Sequence, residues 1–163
     1  MAVFDLNDCC FERDGKRFRY RVGAIIVEDG HVLLATNDTV EYYYSVGGGV
    51  HLGESAEAAV VREVREETGL DYEIDRLAVV HENFFRDGSK LLRGFDCHEL
   101  SLYYFMKPRG YKQSIAPSVM PYGTERLDWI PVDKLSSVRA YPLFLSDILT
   151  EAPKGVAHIV TRQ

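Results

Sequence analysis

The chain has 163 residues, long enough for one well-buried domain over 1–163 and short for two. With 46% apolar and 27% charged residues it belongs among folded globular chains and not disordered ones. A net charge of −6 argues against an extended nucleic-acid surface or an anionic membrane as partner, so an anionic substrate has to be met by a metal ion or a local basic patch.

In chain order, the first expected element is a hairpin over residues 4–22 that turns at Asp14-Gly15, a dipeptide suited to a tight hairpin turn. Asp29-Gly30 repeats the signal between a nearly continuous apolar run, Val22 to Val27, expected as a central strand, and a shorter strand, Val32 to Ala35. Glu41 to Val46 is aromatic and β-prone and stops at Gly47-Gly48-Gly49. Ser55 can cap a helix over 56–68, and Gly69 stands where a left-handed residue would end it.

Two long strands follow, YEIDRLAVVHENFF and ELSLYYFMK, joined by a polar loop containing Asp87-Gly88 and Gly94. ERLDWIPV reads as a strand ended by Pro131. Pro142 is expected at the first position of a second helix with an apolar stripe of Leu143, Leu145, Ile148 and Leu149, and GVAHIVTRQ as a last strand. The mixture implies an α/β fold, a sheet flanked by helices. No apolar run approaches the roughly 20 residues that span a bilayer, and MAVFDLNDCCFERDGKRFRY lacks a basic segment followed by an apolar one, so a cytoplasmic location without a membrane partner is expected. Cys9, Cys10 and Cys97, odd in number and without metal-binding spacing, are expected as idle or buried thiols.

The first helix carries an unusual load of glutamates. At about 100° per residue, Glu63, Glu66 and Glu67 share one face and can converge. Like charges at i,i+4 cost an isolated helix about 0.2–0.5 kcal/mol, and anions near its C-terminus oppose the macrodipole. Two things can offset this: arginine pairing through Arg62 and Arg65, which leaves a solvated charged face, or a divalent cation such as Mg²⁺ with its preference for oxygen ligands. Gly47, Gly48 and Gly49 weigh toward the cation, because glycines let a backbone carbonyl approach an ion, or an amide a phosphate.

Written as a pattern, Gly48 to Leu70 is G-x5-E-x7-R-E-U-x-E-E-x-G-U, with U aliphatic: Gly48, Glu54, Arg62, Glu63, Val64, Glu66, Glu67, Gly69 and Leu70. This matches the Nudix box, residues 48–70, without a gap, and the chain resembles a Nudix hydrolase of the MutT type. The resemblance implies a Nudix-like α/β/α sandwich with a mixed β-sheet flanked by helices. It also implies hydrolysis of a small nucleoside diphosphate linked to a group X, with Mg²⁺ or Mn²⁺ as cofactor and water attacking phosphorus. Gly47, Glu63, Glu66 and Glu67 would ligate the metal, Glu63 and Glu67 foremost. Arg62 would orient a box carboxylate, with Glu54 placed to brace it. A nucleotide-binding sensor that has lost catalysis is the alternative reading, and complete box carboxylates favour the enzyme.

Beyond the box, the general base is open between Glu63, Glu99 and Glu125; each of the last two could equally be a solvated glutamate. Gly48, Gly49, Asn83 and His98 are candidate substrate contacts, and Phe84 and Phe85 either line a base pocket or belong to the core. Val46 stands where many family members have proline, and His51 where an acidic residue is frequent. The N-terminal hairpin has two candidate roles, part of the pocket or contact in a homodimer. HENFFRDG carries neither the proline nor the tyrosine that marks particular substrates in the family, so the substrate is left open.

Overall fold

The computed structural model describes residues 7–86, 94–120 and 123–163; residues 4–6 of the expected hairpin and Asp87-Gly88 of the expected loop lie outside them. Both tight hairpins are present. β1 (Cys10–Arg13) turns into β2 (Lys16–Ile25) through Asp14 and Gly15 at φ 51° and 74°, and β3 (Val27–Glu28) into β4 (His31–Asn37) through Asp29 and Gly30 at φ 48° and 71°. Two successive positive-φ residues give a turn whose twist matches the flanking strands, and an Asp-Gly pair adopts it at little cost. Then come β5 (Tyr43–Ser45), α1 (Ala56–Thr68), β6 (Ile74–Arg86), β7 (Asp96–Met106), β8 (Ser118–Met120) and β9 (Gly123–Pro131). A 3-10 turn (Val132–Ser137), β10 (Ala140–Tyr141), α2 (Leu145–Thr150) and β11 (Ala157–Arg162) complete the order.

The mixed α/β architecture agrees with expectation, but the strands divide between two sheets. One has the order β1-β2-β7-β6-β11; the other runs β10-β5-β4-β9-β8, with β3 also on β4. In the first, β2 is parallel to β7 and β11 to β6, whereas β6 and β7 are antiparallel. The run Val22 to Val27 is therefore not one strand. β2 ends at Ile25 in the first sheet and Val27 opens β3 in the second, with Ile26 buried at the crossing. Because the run is apolar on both sides of the break, its pattern carries no mark of the change of sheet.

Alternation along β2 feeds two cores. Val22 and Ala24 pack with Val46, Val60 and Val64 beneath α1, whereas Ile25 packs with Val79, Tyr103, Leu145 and Ile148 beneath α2. The second helix departs from expectation: it begins at Leu145, after a turn in which the Leu145 N–H donates to the Pro142 carbonyl at 3.0 Å. Leu143 lies in that turn, 61% exposed, and so leaves the apolar stripe.

Candidate active site

Helix α1 is fixed at both ends. The Ser55 hydroxyl accepts from the Ala58 N–H at 3.2 Å, and Gly69, at φ 70°, donates its N–H to the Arg65 carbonyl. Between these caps Arg62 clasps the preceding loop. Its Nε and Nη2 donate to the two carboxylate oxygens of Glu54, each at 2.9 Å, and Nη2 also donates to the Gly49 carbonyl at 2.9 Å. The fork holds the Glu54 carboxyl well below its usual range, to about 2. Glu54 accepts in addition from the His51 N–H at 3.0 Å, so loop and helix form one unit.

The glycines are demanded by what surrounds them. Val46 and Gly48 offer their carbonyls to the Ala24 and Val22 N–H groups of β2 at 2.8 and 3.0 Å, which docks the loop along that strand. Gly47 has φ 141°, and a side chain there would run into the Val22 carbonyl and Gly23 Cα. Its own N–H donates to Glu67 Oε2 at 3.3 Å. At Gly48 a Cβ would stand 2.5 Å from the Glu63 carboxyl carbon, and at Gly49 it would meet the Asp8 carboxylate. The two carboxylates of α1 therefore lie directly on the glycine loop.

Both are electrostatically uncomfortable. Burial holds Glu67 well above the usual carboxylate range, and the negative charges of Glu125 and Glu63 add to the effect; the Gly47 N–H and Arg21 oppose it. Burial also raises Glu63, against the pull of Arg62, whose Nη1 donates to Glu63 Oε1 at 2.7 Å. Glu66 shares the same helical face and the same Arg62 nitrogen. Its side chain is 59% exposed and accepts from Arg62 Nη1 at 3.2 Å. Among the described residues, no group of three or more His, Cys, Asp or Glu side chains is arranged to hold a metal ion unaided. Glu63 and Glu67 nevertheless suit a hard divalent cation: they are partly buried oxygen donors on the glycine loop, and an octahedral ion completes its sphere with water and phosphate oxygens.

Glu99 and Glu125 are both buried, and their surroundings differ. Glu99 faces Arg19 across the β2–β7 ladder, with Arg19 Nη1 at 3.4 Å and Arg21 Nη1 at 3.7 Å from its oxygens. Arg21 in turn feels the charges of Glu99, Glu67 and Glu63, and its buried Nε has no hydrogen-bond partner among the described residues. Glu125 sits on β9 next to Glu67 in charge terms and accepts from the Tyr44 hydroxyl at 2.6 Å; Asn37 Nδ2 donates to that hydroxyl at 3.1 Å. Arg19, Arg21, Tyr44 and Asn37 are not among the candidates that the sequence offers. For the arginines a signal exists: Arg17-x-Arg19-x-Arg21 puts three cations on one face of a strand in an acidic chain. Tyr44 and Asn37 have none, because they meet Glu125 only through sheet pairing.

The remaining candidates separate by strand face. Asn83 pairs with Glu99 in the β6–β7 ladder and shares its face, with Oδ1 accepting from the Thr161 hydroxyl at 2.6 Å. His98 points to the opposite face, where its ring stacks on Phe84 at 4.2 Å and meets Phe18 edge-on at 5.3 Å. Phe84 belongs to that stack, covered on its other side by Arg162 at 4.1 Å, and Phe85 lies on the Asn83 side of the neighbouring register pair with Cys97. His51 Nε2 lies 3.7 Å from Asp8. Cys97 is buried, its thiol donating to the Phe95 carbonyl at 3.6 Å, and Cys9 and Cys10 are partly buried.

Known proteins share both the sequence pattern and the fold. The NUDIX domain family matches residues 17–149. A MutT-like protein of Streptomyces ambofaciens is 31% identical over 135 residues, covering 80% of this chain and 75% of that one. An RNA pyrophosphohydrolase of Acinetobacter baylyi is 43% identical over a shorter 58-residue match, 35% of each chain. The structure of the MutT protein of Methanosarcina mazei Go1 superposes with a TM-score of 0.61 at 19% identity, covering 85% of this chain and 94% of that one. The match over most of the chain, around a loop and helix built as described, places the protein in the Nudix family. It is a Nudix-type hydrolase.

Proposed function

We propose that the protein is a divalent-metal-dependent pyrophosphohydrolase that cleaves a nucleoside diphosphate linked to a group X: a nucleoside triphosphate, a nucleotide sugar or an ADP-ribose type substrate. The observation that carries this reading is the seating of the partly buried Glu63 and Glu67 carboxyls directly on the glycine loop, where their negative charges and that of Glu125 crowd together and a cation would relieve them. Glu63, Glu67 and the Gly47 carbonyl would hold Mg²⁺ or Mn²⁺, leaving the other positions to water and phosphate oxygens. When bound, the ion neutralises charge on the diphosphate and lowers the pKa of water. Glu66 stays with Arg62 and supports the helix.

The chain's own residues supply the rest. Arg21, whose Nε has no hydrogen-bond partner among the described residues, and Arg19 hold the diphosphate oxygens, and Glu99 keeps both cations in place. Glu125 is the general base. It takes a proton from the attacking water as the new oxygen–phosphorus bond forms, the bridging oxygen–phosphorus bond breaks, and the electron pair leaves with the bridging oxygen. Asn83, beside Glu99, reaches a polar group of the substrate. The RNA pyrophosphohydrolase among the relatives supports the class of bond broken.

The test is incubation with a panel of nucleoside diphosphate derivatives and Mg²⁺, with product analysis in ¹⁸O-labelled water and Glu67→Gln as control. Hydrolysis of at least one diphosphate, with label on a single product phosphate and loss in the control, is expected. Inertness of the whole panel, or equal turnover in Glu67→Gln, would refute the reading.

A further inference from the structure

The sequence EYYYS places three tyrosines in a row, and neither the metal face nor the phosphate-binding arginines account for them. Alternation turns Tyr43 to one side, where its hydroxyl donates to Asp128 at 3.2 Å, and Tyr42 and Tyr44 to the other. Register across the second sheet continues that other side: Tyr141 of β10 pairs with Tyr44, Tyr44 with Ala35, and Ala35 with Leu127. Asn37 and Glu125 form a further pair of the same β4–β9 ladder, two residues along, and share this face. The tyrosines therefore stand on the sheet surface that carries Glu125, and Tyr44 touches it.

Beyond Tyr44 the rings make a corner. Tyr42 and Tyr141 meet at 5.2 Å and 84°, so one ring presents a face and the other an edge, and Tyr42 lies 6.3 Å from Tyr44. Both are only partly buried. Arg139 spans the outer rim, its guanidinium 5.7 and 5.6 Å from the two ring centres and its Nη2 donating to the Tyr141 hydroxyl at 3.0 Å. A right-angled pair of electron-rich rings edged by a fixed cation fits a flat, polarisable heterocycle that stacks on one ring and abuts the other.

We infer that Tyr42 and Tyr141, rimmed by Arg139, form the subsite for the nucleobase of the substrate. The inference rests on the proposed diphosphate site at Glu63, Glu67 and Glu125, from which the corner is reached across Tyr44. Stacking reads the π-face and not the hydrogen-bonding edge, so the subsite admits purines and pyrimidines alike and adds nothing to the binding of a diphosphate without a base.

The experiment is equilibrium binding, by calorimetry with Mg²⁺, of α,β-methylene-ADP, the corresponding UDP analogue and base-free methylenediphosphonate. Tyr42→Ala and Tyr141→Ala should weaken both nucleotide analogues by about five- to hundredfold, the range that one stacking contact commands, and leave methylenediphosphonate unchanged. Tyr42→Phe should bind like the unmodified chain, and a thermal melt of each variant separates lost stacking from lost fold. Nucleotide affinity unchanged in both alanine variants, or an equal loss for methylenediphosphonate, overturns the inference. Because binding is read without turnover, it can fail while the panel above is hydrolysed, and can hold while the panel is inert.

Discussion

Tyr44 donates its hydroxyl to Glu125 at 2.6 Å, and Glu125 is the neighbour whose charge adds most to the discomfort of Glu67. A tyrosine of one strand thereby fixes the carboxylate that faces the acidic helix. The hydroxyl is itself held by Asn37, and burial with the Glu125 hydrogen bond pushes the Tyr44 phenol far up, so it stays a donor at any working pH. Tyr44→Phe removes that donor from a buried carboxylate. The expected cost is about 1.5–3 kcal/mol of stability, with a fall in kcat that exceeds any change in KM. Denaturant melts and steady-state kinetics on the variant check both; a variant as active and as stable as the parent would deny Glu125 its proposed dependence on Tyr44.

Glu67→Gln should give opposite signs for activity and stability. It removes a carboxyl whose ionised form burial, Glu125 and Glu63 all disfavour, so the metal-free variant is expected to melt higher, by about 2–4 °C for each kcal/mol relieved. Turnover should fall by about a hundredfold or more, the size of effect seen when a transition-state charge partner is lost. Melting in EDTA alongside Mg²⁺-dependent turnover tests the pair; a variant that melts lower in EDTA would mean that the crowding of carboxylates has been misjudged.

The same crowding fixes a pH dependence. Folded Glu63 and Glu67 hold protons at pH values where the unfolded chain, titrating near about 4.3, has released them. Their contribution to stability is present below the unfolded value and is lost as pH rises through the raised folded values. Metal competes with those protons. In EDTA the melting temperature should therefore decline as pH rises above the unfolded value of about 4.3, and Mg²⁺ should restore more of it at higher pH. An Mg²⁺ increment equal at both pH values would count against a site made of these carboxylates.

Glu54 has the reverse sign. Its folded pKa is lowered to about 2 by the Arg62 fork, so its stabilisation is present above the unfolded value and disappears as pH falls toward about 2. Glu54→Gln should lower the melting temperature at neutral pH and flatten its acid limb below about pH 4. Arg62→Lys, which keeps the charge but loses the fork, should do much the same. If the acid limb of Glu54→Gln coincides with that of the parent, the clasp contributes nothing to acid sensitivity.

Gly47→Ala should be severe, because its Cβ meets the β2 backbone at a φ of 141°. At least about 1–3 kcal/mol of strain is expected, beyond any displacement of the loop. Gly155→Ala, where a Cβ meets nothing within 4 Å, is the control and should melt like the parent. Comparable melting of the two variants would show that the loop can leave β2 at little cost.

Much of this protein was legible in its residues taken in order. The two Asp-Gly hairpins, the capped helix 56–68, and the Glu54–Arg62 brace rest on contacts between residues close in sequence, where turn torsions and the helical repeat leave few alternatives. The facing of Glu63 and Glu67 toward the glycine loop follows from the same helical repeat. The helical wheel sets where the Glu66 side chain leaves the axis, and the shared hydrogen bonds of Arg62 to Glu63 and Glu66 appear only in the folded side-chain arrangement. The split of Val22 to Val27 between two sheets, the meeting of Tyr44 with Glu125, and the placing of Glu99 and His98 on opposite faces all depend on which strands pair and in what register. Those pairings are decided by the burial of whole faces in a common core, a property of the assembled fold that no single stretch of the chain contains.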